Sequence, residues 1–158
     1  MDNSDACQEL AKVCEGIIDA EPAIGPEEFL RRLGNLVAGI DPGFEGIADL
    51  ARGGTNELWG AGFAPEFDDG SLGQARHFAG TAAAVQLFGG RVTGFVAHTF
   101  LDPANTPDGR LTTAAIVFAT GVLDGTLPLV ETATWIREHL CLVETEQSAM
   151  RVNPPQLT

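Results

Sequence analysis

The residues best suited to acid–base chemistry are the adjacent pair Arg76 and His77, together with His98 and Asp102. A carboxylate that orients an imidazole makes a general base near neutral pH. An arginine beside it presents a planar fork that fits a phosphate or carboxylate. His98 stands four residues before Asp102, so the two share one face of a helix. His77 lies 12 to 13 residues before Gly89-Gly90, and His98 lies 8 to 9 residues after it. Those spacings are roughly 18 Å and 13 Å along a helix axis. If the two segments are antiparallel neighbours, both imidazoles fall at one end of the hairpin, about one helical turn apart. Asp102 then comes closer to the level of His77. The expected catalytic set is therefore Arg76, His77, His98 and Asp102. Two histidines with carboxylates also suit a transition metal, but no metal site is assigned, and the cysteines lack finger spacing.

The acids Glu66, Asp68 and Asp69 immediately precede the segment bearing the pair and could fold over the same end. Glu57, Trp59, Asp68 and Asp69 are the expected binding residues. Glu57 precedes Leu58-Trp59, and an apolar surrounding raises a carboxylate's pKa. Trp59, Phe63 and Phe67 could line a pocket or simply anchor their loop. Structural roles compete at each position: Arg76 could neutralise Asp68 and Asp69, and His98 with Asp102 could mark a helix end running into a turn. His139 is expected at the surface. The stretch from Asp102 to Gly109 alternates oxygen donors but lacks the bidentate acid that closes a calcium loop. Neither Gly53-Gly54 nor Gly89-Gly90 has a phosphate-loop pattern, and Ser71 and Ser148 lie in no nucleophile elbow.

Gln74-Ala75-Arg76-His77-Phe78-Ala79 resembles the Arg-His motif found early in a helix of some bacterial helical domains, which occur as polymorphic-toxin tips and as stand-alone proteins. In those domains a second histidine follows one helix later, where His98 stands here. The resemblance implies an all-helical, hydrolase-like domain with Arg76, His77 and His98 at its site. Alanines replace the aromatic-rich continuation of the motif, and Thr99 replaces a glutamate beside the second histidine.

The elements that must position these residues read as helices. Asp5 to Ile18 carries Cys7, Leu10, Cys14, Ile17 and Ile18 on one face, with Asp5-x-x-Gln8 as a capping box. A second helix runs from Pro26 with Phe29, Leu30, Leu33, Leu36, Val37 and Ile40 as its apolar face. Asp41-Pro42 reads as N-cap and first-turn proline of a third helix to about Arg52. Residues 55–70 form an irregular loop with a short helical turn near Glu57 to Trp59. Ser71-x-x-Gln74 is a second capping box, opening a helix rich in alanine that belongs in the middle of a bundle. Arg91 to Leu101 reads as a helix or a strand, Asp102 to Gly109 as a turn-rich loop, and Leu111 to Leu123 as a helix. A last helix from Thr126-Leu-Pro128 carries Leu129, Val130, Ala133, Ile136, Leu140 and Val143 as its stripe. The expected architecture is all-α: one domain over 1–146, a bundle of about five to seven helices around the alanine-rich one, and a frayed tail over 147–158.

Composition narrows the function. The 158 residues are 44% hydrophobic and carry 22 acids against 9 bases, a net charge of −13. Nucleic acid and anionic membrane are disfavoured for want of a basic stripe. The uncharged run Phe78–Gly90 is 13 residues long, too short to span a bilayer. The N-terminus lacks a secretory pattern, so the expected location is a bacterial-type cytosol, export by another route aside. Cys7, Cys14 and Cys141 are expected as three buried thiols; alternatively Cys141 pairs with Cys7 or Cys14. The leading functional expectation is a polar site acting hydrolytically on an anionic or small ligand. The alternative is a non-enzymatic acidic protein of immunity or adaptor type that binds a basic protein partner. An apolar-pocket carrier and a homodimer through the alanine-rich helix are further readings, and no cofactor is implied.

Overall fold

The computed structural model describes residues 5–40, 58–91, 93 and 103–143. Their order is α1 (Ala6–Ala20), α2 (Pro26–Ala38), a 3-10 turn at Pro65–Phe67, α3 (Gln74–Phe88), α4 (Pro107–Asp124), a second 3-10 turn at Leu129–Glu131, and α5 (Thr132–His139). The fold is all-α, and the described residues add only isolated β-bridges to the helices. The expected helix over Asp41–Arg52, nearly all of the segment Arg91–Leu101, and the tail lie outside the described residues.

Helix α1 starts where Asp5 accepts from the Gln8 backbone N–H at 3.0 Å, satisfying one of the orphan amides of a first turn. The reciprocal half of the expected capping box is replaced, because Gln8 Oε1 accepts from Arg137 Nε at 3.2 Å. Helix α2 has Pro26 in its first turn and stops at Gly39, whose φ of 63° lies in the left-handed region. The Gly39 and Ile40 N–H groups then donate to Asn35 and Gly34 carbonyls, the first of these being the bond by which a left-handed residue caps a helix.

Helix α3 is the expected centre: it packs against α2 on one side and α4 on the other. Ala75, Ala79, Ala82 and Ala83 are buried along it, and small side chains let the neighbouring backbones approach. A Cβ added at Gly34 of α2 would lie 2.7 Å from the Ala83 Cβ, closer than carbon atoms tolerate. Phe78 and Phe118 meet at 5.1 Å between ring centroids, and Trp135 of α5 covers Phe118 at 5.3 Å. Aromatic contacts at these separations add about 1 kcal/mol each beyond the area they bury.

Three boundaries differ from expectation. Helix α3 begins at Gln74 rather than at Ser71: Ser71 Oγ accepts from the Gly73 N–H, and the Gln74 side chain turns to Asp68 and Asp69. Helix α4 begins one turn early, because Thr106 caps Gly109 N–H and Pro107 occupies the first turn. The last helix is shorter than its stripe, and Val130 and Val143 are exposed, as is Leu36 on α2.

The cysteines depart furthest. Cys7 and Cys141 form a disulfide with a Cα–Cα distance of 5.5 Å, which overturns the reading of three thiols and decides the pairing. Cys14, two turns along α1, is the buried free cysteine. Burial pushes its thiol up to about 12 against a hydrogen bond from Thr132 that works the other way, so it is inert as a nucleophile.

Candidate functional site

The loop before α3 is built from its turns. Asp68 accepts from the Gly70 N–H and Asp69 from the Ser71 N–H, both at 2.8 Å. These are the Asx turns that aspartate favours ahead of a helix. Leu72 turns the chain into α3 at a φ of 62°, a conformation that costs a side-chain-bearing residue about 1–3 kcal/mol. Buried Gln74 then reaches back, and its Nε2 donates to Asp69 Oδ1 at 2.9 Å and Asp68 Oδ1 at 3.1 Å. Its Oε1 is buried without a hydrogen-bond partner.

Helix α4 completes the site. Asp108, in its first turn, comes close enough to Asp69 to act on its ionisation. Burial works to raise the pKa of Asp69, but hydrogen bonds from Ser71 and the contact with Asp108 outweigh it and hold the group below the usual carboxylate range. One turn further along both helices, His77 Nε2 lies 2.7 Å from Thr112 Oγ1. The pairs Asp69–Asp108, His77–Thr112 and Phe78–Phe118 advance together along the two helices, so α3 and α4 run parallel with both N-termini at the acidic mouth.

The expected site residues separate. Asp68 and Asp69 stand together at this mouth, exposed, and Arg76 and His77 follow on α3, half-buried. Thr112, which His77 meets, is buried; the imidazole therefore joins two helices. Trp59 is largely exposed, whereas Phe63 and Phe67 are buried anchors of the loop. Leu58 lies in a bend and Trp59 in irregular chain, without the expected helical turn. Glu57, His98 and Asp102 lie outside the described residues. His139 is at the surface, stacked on Trp135 at 4.5 Å. Among the described residues no group of three or more His, Cys, Asp or Glu is arranged to hold a metal, and no helix is long and apolar enough to cross a membrane.

Sequence reading missed Gln74 and Asp108. The spacing from Ser71 makes Gln74 a capping side chain, and the turn-rich composition of residues 102–109 puts Asp108 in a loop. Thr106-Pro107, an N-cap followed by proline, was the signal that would have put Asp108 in a first helical turn. A separate groove of about 580 Å³ lies between α1 and α2, lined by Val13, Ile17, Ala20, Arg32 and Leu36 among others. It does not adjoin the mouth, nor the alanine face where a carrier's cavity was expected.

Chemically, the mouth is a place for positive charge. Two parallel helix N-termini would by themselves favour an anion. Three carboxylates already occupy that position, so an anionic ligand would meet repulsion there, while an ammonium or guanidinium group would meet acceptors. The chain matches no protein-family model, no curated protein and no solved structure, so the likeness to helical toxin-tip domains stands on Gln74–Ala79 and the spacing to His98 alone.

Proposed function

We propose that this chain is a binding domain that takes a basic protein segment at the acidic mouth between the N-termini of α3 and α4. One observation carries the reading: Asp68, Asp69 and Asp108 come together from two elements, with Asp69 held ionised. The net charge of −13 supports it, since a strongly acidic surface steers basic partners within about a Debye length. The disulfide adds a location. Such bonds persist in oxidising compartments and are reduced in the cytosol, so we place the working protein in an oxidising compartment rather than the cytosol expected from its N-terminus.

The test is an NMR titration of the labelled protein with an oligo-arginine peptide, with oligo-glutamate as control. Shifts centred on Asp68 to Gln74 and on Asp108 are expected. The Asp68→Asn/Asp69→Asn double variant should bind roughly tenfold more weakly, and added salt should weaken the wild type. Shifts spread over the other surface acids, with none at the mouth, would sink the reading.

A hydrolytic site built on Arg76, His77, His98 and Asp102 is the second reading. It draws on the position of His77, one turn behind the mouth on α3. Turnover of a p-nitrophenyl ester or phosphate by the wild type, abolished in His77→Ala, would replace the binding reading with this one.

A further inference from the structure

Residues 60–64 form a strap laid between two rails. One rail is the start of α1: the Ala6 N–H donates to the Ala61 carbonyl at 2.8 Å. The other is the chain leaving α5: Ala64 N–H donates to Leu140 and Leu142 N–H donates to Gly62, both at 2.8 Å. Each of these bonds lies within one residue of a bonded cysteine on its rail, and the disulfide fixes the rails at a Cα–Cα distance of 5.5 Å. Gly62 sits between them at a φ of 102°, pressed so closely on Asp5 that a Cβ would strike its carboxylate. The rest of the fold has its own supports. Helix α1 buries Leu10, Cys14 and Ile17, α5 buries Ala133 and Ile136, and Arg137 joins the two helices through Gln8 and Glu15. The short rail at 140–142 buries Leu140 and Cys141 in the core; past Ile136, to whose carbonyl both donate, its backbone is held by the strap and the disulfide. Val143, which follows it, is exposed.

We propose that the Cys7–Cys141 disulfide is the lock of a redox-sensitive strap, which a dithiol opens at this edge while the α2–α3–α4 body stays folded. Fraying from Val143 admits the reductant. One of its thiolates attacks Cys141 Sγ, the Sγ–Sγ bond breaks, and Cys7 leaves as a thiolate that takes up a proton. The second thiol of the reductant then attacks the mixed disulfide. Cys141 is released as a thiol, and the reductant departs as its own disulfide, having given two electrons and two protons. The strap leads directly through Pro65–Phe67 to Asp68, but its opening stands whatever the mouth binds.

Amide hydrogen exchange on the full chain, with and without dithiothreitol, tests this. On reduction, exchange at the Ala6, Ala64 and Leu142 amides should speed up by at least about tenfold more than at amides in α3 and α4, which lose only the global stability the bond supplied and remain protected. Cys7→Ser/Cys141→Ser should show the open pattern without reductant, and Cys14→Ala should respond like the wild type. Loss of protection throughout the chain would make the disulfide a staple of the whole fold and overturn the proposal. So would unchanged exchange at the strap, or three free thiols in the protein as isolated under oxidising conditions.

Discussion

The two ends of the loop from Gly60 to Gly73 are held by opposite kinds of chemistry. At the strap, backbone hydrogen bonds and a buried disulfide fix the chain. At the mouth, side chains do the holding: two exposed aspartates share one buried glutamine amide, and a third reaches in from α4. The first arrangement rests on a covalent bond and backbone hydrogen bonds, and the second on carboxylates that titrate. A single loop therefore presents one end built for persistence and one built for exchange with solvent and ligand. Function is expected at the second, because carboxylates kept at the surface retain charge that a partner can meet.

The largest break in this comparison comes from the covalent tie. Replacing Cys7 and Cys141 with serine should cost about 2–5 kcal/mol, since the bond closes a loop of 134 residues and long loops gain most from closure. Chemical denaturation of the oxidised wild type against the double variant measures it. A loss below 1 kcal/mol would mean that the strap's backbone bonds and the packing of α1 on α5 suffice.

Gly62→Ala acts at the same end without touching the disulfide. Its φ of 102° and the nearness of Asp5 leave no room for a methyl group, so a cost of about 1–3 kcal/mol is expected. The loss should appear with the disulfide intact, in thermal melts run under oxidising conditions.

The smallest effect belongs to the mouth and sharpens the contrast. Asp69 titrates below its ordinary value of 3.8 in the folded state. Its contribution is therefore fully present above that value and is lost as the pH falls from about 3.8 through the lower folded pKa. Asp69→Asn should flatten this acid limb by less than about 1 kcal/mol, because the group is largely exposed and screened. Stability measured at pH 7 and near pH 3 decides it, and an acid limb identical in wild type and variant would show that Asp69 gains nothing from its partners.

Helix existence was legible in the chain because a period of 3.6 is a local property. The faces of α1 and α2 and the cap at Asp5 depend on residues within a turn of one another; the cap at Thr106 is equally local, and the reading of residues 102–109 as a loop passes over it. The alanine spacing of α3 likewise announced a helix that must be surrounded. Side-chain choices between near and distant partners were not legible. Gln8 and Gln74 each stand three residues after a capping residue, and each prefers a partner that local reading does not supply. Arg137 lies 129 positions from Gln8, and Asp68 and Asp69 come into reach of Gln74 only through the left-handed turn at Leu72.

By itself, then, the amino-acid order determined an acidic, all-helical chain with an alanine-rich centre, since composition and periodicity need no knowledge of neighbours. Tertiary structure alone decided that Cys141 meets Cys7 rather than Cys14, that α3 and α4 run parallel, and that Asp108 joins Asp69. Each of these is a meeting of residues far apart in the chain. Which distant groups meet is set by how the helices pack, and the local spacing of residues carries no record of that choice.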